Sequence, residues 1–475
     1  MPTAEPPSPT PTPSLMPIPS TTSLPTLLPT SSSAPLPTPT STAAPIPLPT
    51  PLPAPVPSPT PMQSPVPAPS PMPHPAPTPA VCGVAAAVAV AAVRSVTEVR
   101  RGLNTPAAFS TALYATQPQF GVGVGVCGDW DGDGVRELAV GAPDANDVSD
   151  AVYGVWMWRN GTMRSFVKWA GGMLPVSGAF GNAVACGFDL DGDGGEDVLV
   201  GSPWKSSGAG GVAAVWLSGA RGVLRMAWVA PSAATPVAGD NFGISVWVGG
   251  GSGGGAWEVL VGGIGRSGNV GAVWVMSVNG TSGAVGATVL VGGGSALPSS
   301  LMLQSGDYFG VAVAGVGDLD CDGGVDLAVG AWGRSSYAGS VIVLLRGGGG
   351  AVVAAVEVAA PSGVTPAGSP WFGIAVAGLG DMWGDGVGDM AVGAYANPQD
   401  VWVVELSRSG AATGRRVRVA GGSLPGGASP SGAAFGIGVA GWGDVEGNGV
   451  VDLVVGAYQG RGGGANDGAV YVVWL

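Results

Sequence analysis

The sequence predicts an all-β fold made of six repeated units, and three observations support it. A Phe-Gly pair recurs six times at spacings of 60 to 67 residues, at 120–121, 180–181, 242–243, 309–310, 372–373 and 435–436. After five of these pairs, one acidic residue stands nine positions beyond the Phe and another stands seventeen positions beyond it. No long stretch has the apolar period of a helix, and Gly and β-branched residues are abundant. Four strands in each repeat of this length predict a β-propeller, in which radial repetition leaves only short edges exposed.

Each unit contains four predicted strands in a fixed order. A short Val/Ala/Gly strand follows the Phe-Gly pair, as in FGVAVAGVG, and an acidic loop leads to a second strand such as DLAVGA. The third strand alternates apolar residues, as in GSVIVLL, and the fourth follows an Asn-Gly or Gly-rich hairpin such as RNGT. Six units predict six blades, and a seventh blade would require a unit that lacks the Phe-Gly signal.

Composition divides the chain near residue 80. Residues 1–80 contain 30 of the 44 prolines, in runs such as PLPAPVPSPTP. Because proline has no backbone N–H and a fixed φ, we expect this segment to be a disordered, extended polyproline-II spacer. We expect residues 81–475 to form the propeller. The sequence ends directly after a third strand, so we expect residues ~91–101 to supply the missing fourth strand and close the ring.

Charge and motifs argue against several functions. The formal charge is −13 with only 18 Lys and Arg, which leaves no basic footprint for nucleic acid. The only histidine is His74, so residues 81–475 have no imidazole for Ser-His or Cys-His catalysis or for a His-ligated zinc. The Gly-rich run GGGSGGG lacks the Gly-Lys-Ser/Thr ending of a phosphate loop. We therefore expect a protein that is not an enzyme, with no catalytic residues and no organic cofactor.

Five of the six units carry an acidic loop between the first and second strands, with acids or amides at alternate positions. Positions 1, 3 and 5 of such a loop direct oxygen ligands inward, and the backbone carbonyl of position 7 adds another. The last acid stands at position 9, whereas helix-flanked calcium loops have it at position 12, and the shorter register suits a loop that exits into a strand. Ca²⁺ prefers six to eight hard oxygen ligands, so we predict about three to five Ca²⁺ sites.

The candidate ligands follow one register in the five loops. They are Asp129, Asp131, Asp133, Val135 and Glu137 in the first loop; Asp189, Asp191, Asp193, Gly195 and Asp197 in the second; Asp318, Asp320, Asp322, Gly324 and Asp326 in the fourth; Asp381, Asp385, Val387 and Asp389 in the fifth; and Asp444, Glu446, Asn448, Val450 and Asp452 in the sixth. In the fifth loop Trp383 replaces the carboxylate of position 3. The third loop retains only Ser252 and Glu258, and we expect it to bind no metal.

At these residues the chain resembles the FG-GAP repeat family, the N-terminal β-propeller of integrin α subunits. The resemblance covers residues ~91–475 and rests on Phe-Gly, the acidic loop and Val-Gly-Ala-Pro at 140–143. It implies a calcium-binding extracellular or cell-surface adhesion module that contacts its ligand on the face opposite the calcium loops. Integrin propellers have seven blades, and nothing in this sequence resembles the integrin leg domains or cytoplasmic tail, so a complete subunit is not implied.

The sequence leaves two partner classes open, a protein or matrix ligand and a carbohydrate. Aromatic residues begin several connections between second and third strands, at Trp204, Trp332, Tyr395 and Tyr458. Their rings either contact a partner or pack around the central channel of the ring. Sequons at Asn160 and Asn279 make these residues glycosylation candidates. Both stand in hairpins on the face of the acidic loops, which leaves the opposite face free for a partner.

Cysteine usage and targeting signals give weaker expectations. Cys82, Cys127, Cys186 and Cys321 show no CxxC spacing, which favours small buried thiols over disulfides or a metal site. The apolar run Val81–Val93 is too short to span a bilayer as a helix. No signal peptide is visible, and a leader missing from the sequence would reconcile this with the extracellular location we expect. The Ser-Pro and Thr-Pro alternation also resembles hydroxyproline-rich wall glycoproteins and mucin-type stalks.

Overall fold

The computed structural model divides the chain into two units, Met1–Pro67 and Ala68–Leu475, and every described residue belongs to the second. The predicted proline-rich spacer at 1–80 and Cys82 lie outside the described residues. The structure describes residues 92–475 apart from 101–102, 113–118, 144–149, 171–177, 219–221, 253–254, 294–296, 299–300, 362–368, 397–398, 426–433 and 460–466.

The described residues form six antiparallel sheets of four strands, arranged in a ring as a β-propeller, which confirms the predicted fold class. In the first five blades the strands follow one another in chain order. Blade 1 contains β2 (Val124–Val126), β3 (Leu138–Ala142), β4 (Ala151–Met157) and β5 (Met163–Ala170). Blade 2 contains β6 (Ala183–Phe188), β7 (Asp197–Gly201), β8 (Val212–Leu217) and β9 (Val223–Val229). Blade 3 contains β10 (Ser245–Ser252), β11 (Ala256–Gly263), β12 (Ala272–Asn279) and β13 (Val285–Gly292).

Blades 4 and 5 repeat this order, and blade 6 takes one strand from the beginning of the described chain. Blade 4 contains β14 (Phe309–Gly317), β15 (Asp326–Ala331), β16 (Ser340–Arg346) and β17 (Val352–Ala359). Blade 5 contains β18 (Ala375–Gly380), β19 (Asp389–Ala394), β20 (Asp400–Leu406) and β21 (Ala412–Ala420). Blade 6 contains β22 (Phe435–Gly443), β23 (Asp452–Ala457), β24 (Ala469–Trp474) and β1 (Ser95–Arg100).

The strand β1 pairs antiparallel with β24, with Ser95 opposite Trp474 and Arg100 opposite Ala469. Just before β1, Arg94 donates its backbone N–H to the carbonyl oxygen of Trp474 at 2.8 Å. Its side-chain Nε donates to the carbonyl oxygen of Leu475 at 2.7 Å. The edge of β24 is therefore covered by the N-terminal strand and is not left open to another chain.

Helical structure is limited to short connections. The described helices are α1 (Ala107–Ala112), α2 (Lys205–Gly208), α3 (Arg266–Asn269), α4 (Arg334–Tyr337) and the 3-10 turn η1 (Gly421–Ser423). The turns α2, α3 and α4 join the second and third strands of blades 2, 3 and 4, and each contains residues in the left-handed region. No described helix is long and apolar enough to cross a membrane.

The glycines of the repeat are required where neighbouring blades touch. The glycine in the second strand of each blade lies against the carbonyl oxygen of the Phe-Gly glycine in the next blade. A Cβ built on Gly330 would stand 1.9 Å from the carbonyl oxygen of Gly373. The same approach joins Gly456 to Gly121, with 1.8 Å to the oxygen, and so links the last blade to the first. The four remaining boundaries use Gly141 and Gly181, Gly201 and Gly243, Gly262 and Gly310, and Gly393 and Gly436.

We expect Gly330→Ala to lower the free energy of unfolding by about 1–3 kcal/mol, because its methyl group would force two backbones apart. The matched control is Gly349→Ala in the hairpin of the same blade, where a Cβ meets nothing within 4 Å. Denaturant unfolding of both variants measures the difference. Equal stability of the two variants would show that the blade boundary tolerates the methyl group.

Candidate functional site

The five acidic loops share one set of hydrogen bonds from their own backbone. In the first loop, Asp129 Oδ1 accepts the N–H of Gly132 at 2.8 Å and of Asp133 at 3.1 Å, and Asp129 Oδ2 accepts the N–H of Gly134 at 2.7 Å. The first aspartate of the other four loops accepts corresponding bonds, at Asp189, Asp318, Asp381 and Asp444. The aspartate at position 1 therefore shapes each loop. The regular spacing of the acids can reflect this local turn as well as a set of candidate metal ligands.

The acid at position 9 accepts an N–H of its own loop in all five blades, and in blades 2, 4, 5 and 6 it also accepts an N–H from the end of the third strand. In blade 4, Asp326 Oδ2 accepts the N–H of Leu319 at 2.8 Å, and Oδ1 accepts the N–H of Arg346, at the end of the third strand, at 2.7 Å. The five position-9 acids are completely buried, at Glu137, Asp197, Asp326, Asp389 and Asp452. Such buried carboxylates are retained only where they are hydrogen-bonded or paired.

Burial also changes the protonation of these acids. It raises the pKa of Asp326 to about 6, although the backbone hydrogen bonds from Arg346 and Leu319 act in the opposite direction. Burial likewise raises the pKa of Asp197 to about 7, of Asp389 to about 8 and of Asp452 to about 6. In blades 2, 4 and 5 the neighbouring loop aspartates raise it further. A cation beside the loop would favour the ionised carboxylates and relieve their mutual repulsion.

Three loops bring their acids close enough to hold a metal ion. One ligand oxygen from each member lies within 4.8 Å of the others in three groups: Asp129, Asp131, Asp133 and Glu137; Asp189, Asp191 and Asp197; and Asp318, Asp320 and Asp326. These are the three loops whose carboxylates are complete in the sequence. Their donors are all oxygen, which fits the preference of Ca²⁺. In the second loop, the buried Asp191 Oδ1 has no hydrogen-bond partner among the described residues. This oxygen is therefore available as a cation ligand.

Arginines contact two of these three loops. Arg164, on the outer strand of blade 1, donates to Asp133 Oδ2 at 2.8 Å and also contacts Asp131. In blade 2, Arg225 Nη2 lies 3.4 Å from Asp191 Oδ2. These guanidinium groups reduce the repulsion among the carboxylates, and a cation bound to Asp131 and Asp133 would share or displace the contact with Arg164.

The fifth and sixth loops keep the backbone pattern with a smaller acidic set. Among the described residues, neither loop brings three acidic side chains within the same distance. Trp383, in place of the position-3 carboxylate, is only 2% exposed and packs into the core between blades 5 and 6. In the sixth loop Asn448 Oδ1 accepts the N–H of Val450 at 2.6 Å, and Glu446 contacts Arg94.

In the third blade, the one remaining loop acid pairs with an arginine of the neighbouring blade. Glu258, the acid that remains of the loop, accepts hydrogen bonds from Arg346 of blade 4 at 3.0 Å from Nη1 and 2.5 Å from Nη2. The Arg346 side chain is 4% exposed. The other blades with the same backbone bond to the position-9 acid place a leucine here, at Leu217, Leu406 and Leu475. The sequence signal for this ion pair was an arginine at a position that is apolar in the other blades, at Met157, Leu217, Val278, Leu406 and Leu475.

We expect Arg346→Leu to lower the free energy of unfolding by about 1–3 kcal/mol, because it leaves Glu258 partly buried without its partner. The double variant Arg346→Leu/Glu258→Gln should recover part of this loss, since the charge that needs a partner is gone. Denaturant unfolding of both variants and of Glu258→Gln completes the cycle. Additive losses in the double variant would contradict a direct pairing.

The first two acidic loops are connected across the boundary between their blades. Glu196, next to the position-9 acid of the second loop, accepts the N–H of Gly128 at 2.7 Å and the indole N–H of Trp130 at 2.8 Å. The same boundary contains a disulfide between Cys127 and Cys186, whose Cα atoms are 4.9 Å apart. The first two loops are therefore held in a fixed relation to each other.

The expectation of free thiols is wrong for the cysteines that the structure describes, because none of them is free. Cys127 follows β2 and Cys186 lies in β6. These are the first strands of adjacent blades, so equivalent positions in neighbouring repeats become neighbours in space. The spacing of 59 residues is close to one repeat and was the available signal.

On the opposite end of the strands, six rings form a continuous aromatic row, defined as Tyr308, Trp332, Tyr337, Trp371, Tyr395 and Tyr458. Tyr308 stacks on Trp332 with centroids 4.6 Å apart and planes within 13°. Successive centroid distances are 5.4 Å from Tyr337 to Trp332, 4.6 Å on to Trp371, 5.1 Å on to Tyr395 and 6.3 Å on to Tyr458. The row therefore spans blades 4, 5 and 6.

The structure brings together three of the four aromatic candidates, Trp332, Tyr395 and Tyr458. Trp204 lies outside the row and is 37% exposed. Tyr308, Trp371 and Tyr337 were not among the candidates predicted from the sequence. Tyr308 and Trp371 each precede a Phe-Gly pair and have φ of 54° and 53°, and this common position was the signal that could have revealed them. The rings pack on one another and remain half-buried, apart from the more exposed Tyr337.

The acidic loops and the aromatic row lie at opposite ends of the second strands. The strand β15 begins at the position-9 acid Asp326 and ends at Ala331, directly before Trp332. A strand of this length spans about 20 Å. The exposed glycosylation candidates Asn160 and Asn279 lie where third strands lead into fourth strands, at the same end of the blades as the acidic loops. Asn160 Oδ1 accepts the N–H and Oγ1–H of Thr162 at 3.0 and 2.8 Å.

Fold and site together define a six-bladed β-propeller with acidic loops between the first and second strands of its blades. No family model matches the chain. Over 177 residues the chain is 36% identical to human integrin alpha-IIb, and the match covers 35% of this chain and 16% of that protein. The chain thus matches well under two thirds of the length of this relative.

Proposed function

We propose that this chain is a calcium-binding propeller that acts in adhesion or protein interaction at the cell surface or outside the cell. The observation that carries the proposal is the group of acids in loops 1, 2 and 4, with an unpartnered buried oxygen on Asp191. Ca²⁺ at these loops would neutralise buried carboxylates and stabilise the blades. Eighteen of the 31 acidic residues are candidate ligands, so much of the acidity of the chain serves these loops.

Location and non-catalytic action are supported by separate observations. A disulfide such as Cys127–Cys186 persists mainly in oxidising compartments. The chain shares a similar stretch of 177 residues with integrin alpha-IIb, and the resemblance of its repeats to integrin propellers implies an adhesion role. The buried loop acids serve as hydrogen-bond acceptors and cation ligands in the proposal, which leaves them no role as a catalytic pair.

We expect calorimetric titration of the full chain with Ca²⁺ to give three to five sites with Kd of about 10⁻⁴–10⁻³ M, as in other extracellular modules. Each site should add about 2.7 kcal/mol of stability at a hundredfold excess of Ca²⁺ over Kd. Asp191→Asn should remove one site, because it removes a ligand carboxylate of the second loop.

Glu405→Gln is the matched control for the titration. Glu405 is an acid on β20 that pairs with Arg415, outside the loops, and its substitution should leave the stoichiometry unchanged. A melting temperature that does not differ between EGTA and saturating Ca²⁺ would refute the calcium proposal.

A second candidate function, carbohydrate binding, is favoured by the aromatic row, because sugars stack on tryptophan and tyrosine rings. In this alternative the row is the floor of a lectin-like site on the face opposite the acidic loops. Both functions use the same face, so they differ in the chemistry of the ligand and not in its position.

An array of neutral and acidic polysaccharides separates the alternatives. If the lectin-like function holds, the full chain binds a member of the array, and Trp332→Ala weakens that binding at least tenfold because a stacking ring is lost. Trp204→Ala, which removes an exposed ring outside the row, should leave it unchanged. Absence of binding to the whole array, or binding that survives Trp332→Ala, would exclude the row as a sugar site.

A further inference from the structure

We propose that the aromatic row binds an uncharged proline-rich chain in the polyproline-II conformation, presented by another molecule. The inference rests on the proposed function and names the partner class for the face opposite the acidic loops. Proline-rich segments dock on surfaces lined by aromatic rings because the polyproline-II helix is already extended and loses little entropy on binding.

Two tryptophans of the row have indole N–H groups that donate to no described residue, whereas three of the packed tryptophans donate theirs. Trp216, Trp274 and Trp442 donate their indole N–H to backbone oxygens at 3.0, 2.7 and 2.7 Å. Neither Trp332 nor Trp371 donates its indole N–H to a described residue. A polyproline-II chain has no internal hydrogen bonds, so its carbonyl oxygens need such donors.

The charge around the row also favours this ligand. The row contains no charged side chain, although the protein carries a formal charge of −13. Arg334, which lies between Trp332 and Tyr337 in sequence, is paired with Asp307 at 2.7 Å and Glu357 at 2.8 Å. These carboxylates are engaged and offer few free acceptors for sugar hydroxyls. An uncharged apolar chain therefore matches the row better than a polysaccharide or an acidic peptide does.

Two of the rings belong to residues with a positive φ, and the fold does not require an aromatic side chain at this position. The residue before Phe-Gly has a positive φ in all six blades, and in blades 1, 2, 3 and 6 it is Gln119, Ala179, Asn241 and Ala434. A bulky residue in this region costs about 1–2 kcal/mol. Because four blades form with smaller residues, the rings of Tyr308 and Trp371 serve the surface and not the blade.

The sequence of this chain supplies a suitable probe. Residues 45–61, PIPLPTPLPAPVPSPTP, contain nine prolines and no charged side chain. A synthetic peptide of this sequence, labelled at one end, is titrated with a calcium-saturated full chain whose prolines in residues 1–80 are replaced by serine, so that the chain's own copy does not compete. Binding is followed by fluorescence anisotropy, and every variant is made in the same background. We expect saturable binding. A control peptide with every second proline replaced by alanine should bind at least tenfold more weakly, because it loses the polyproline-II conformation.

Trp371→Ala is the decisive variant because Ala179 and Ala434 occupy the same position with the same backbone conformation in other blades. We expect it to keep its melting temperature and to weaken peptide binding at least tenfold, whereas Trp204→Ala should bind as the original chain does. Absence of binding at millimolar peptide, equal binding of the control peptide, or unchanged binding by Trp371→Ala would overturn the inference. A normal calcium titration in the same sample would then leave the proposed function standing.

Discussion

The close approach of two glycines at every blade boundary is the constraint on which the ring depends. The second-strand glycine of one blade touches the Phe-Gly carbonyl of the next, and the contact between Gly456 and Gly121 extends it from the last blade to the first. A side chain at either position would hold the blades apart or strain the backbone, because the Phe-Gly glycines also have φ of 90° to 98°. With the blades this close, Val and Phe side chains fill the space between sheets, and disulfide, loop and aromatic contacts can form across the boundaries.

The acidic loops combine two roles that the sequence motif does not separate. Position 1 folds the loop around its own N–H groups, and in blades 2, 4, 5 and 6 the buried position-9 acid also accepts a hydrogen bond from the end of the third strand. A cation would add to a framework that the hydrogen bonds already define. The third blade illustrates the difference, since Arg346 supplies the positive charge that Glu258 needs and no full ligand set remains.

The two ends of the second strands are suited to different tasks. One end has carboxylates, arginines and glycosylation candidates. The other has half-buried rings from blades 4, 5 and 6 stacked in a row. A propeller of this kind can be stabilised by ions on one face while a partner binds the other, because the strands between them form a rigid spacer of about 20 Å. Because the row occupies only blades 4, 5 and 6, a partner that contacts it would bind to one side of the ring.

The sequence by itself determined the periodic features, because they repeat at fixed offsets: six blades, four strands in each, the acidic register and the loss of most acids from the third loop. Three of the aromatic candidates, Trp332, Tyr395 and Tyr458, also came from their common place in the repeat. The tertiary structure alone decided what residues from different blades do together. Cys127 meets Cys186, Arg346 reaches Glu258, and Tyr308 and Trp371 complete the aromatic row, although each pair or group is separated in the chain. Local periodicity specifies each blade, whereas contacts between blades depend on the closed ring that brings distant positions side by side.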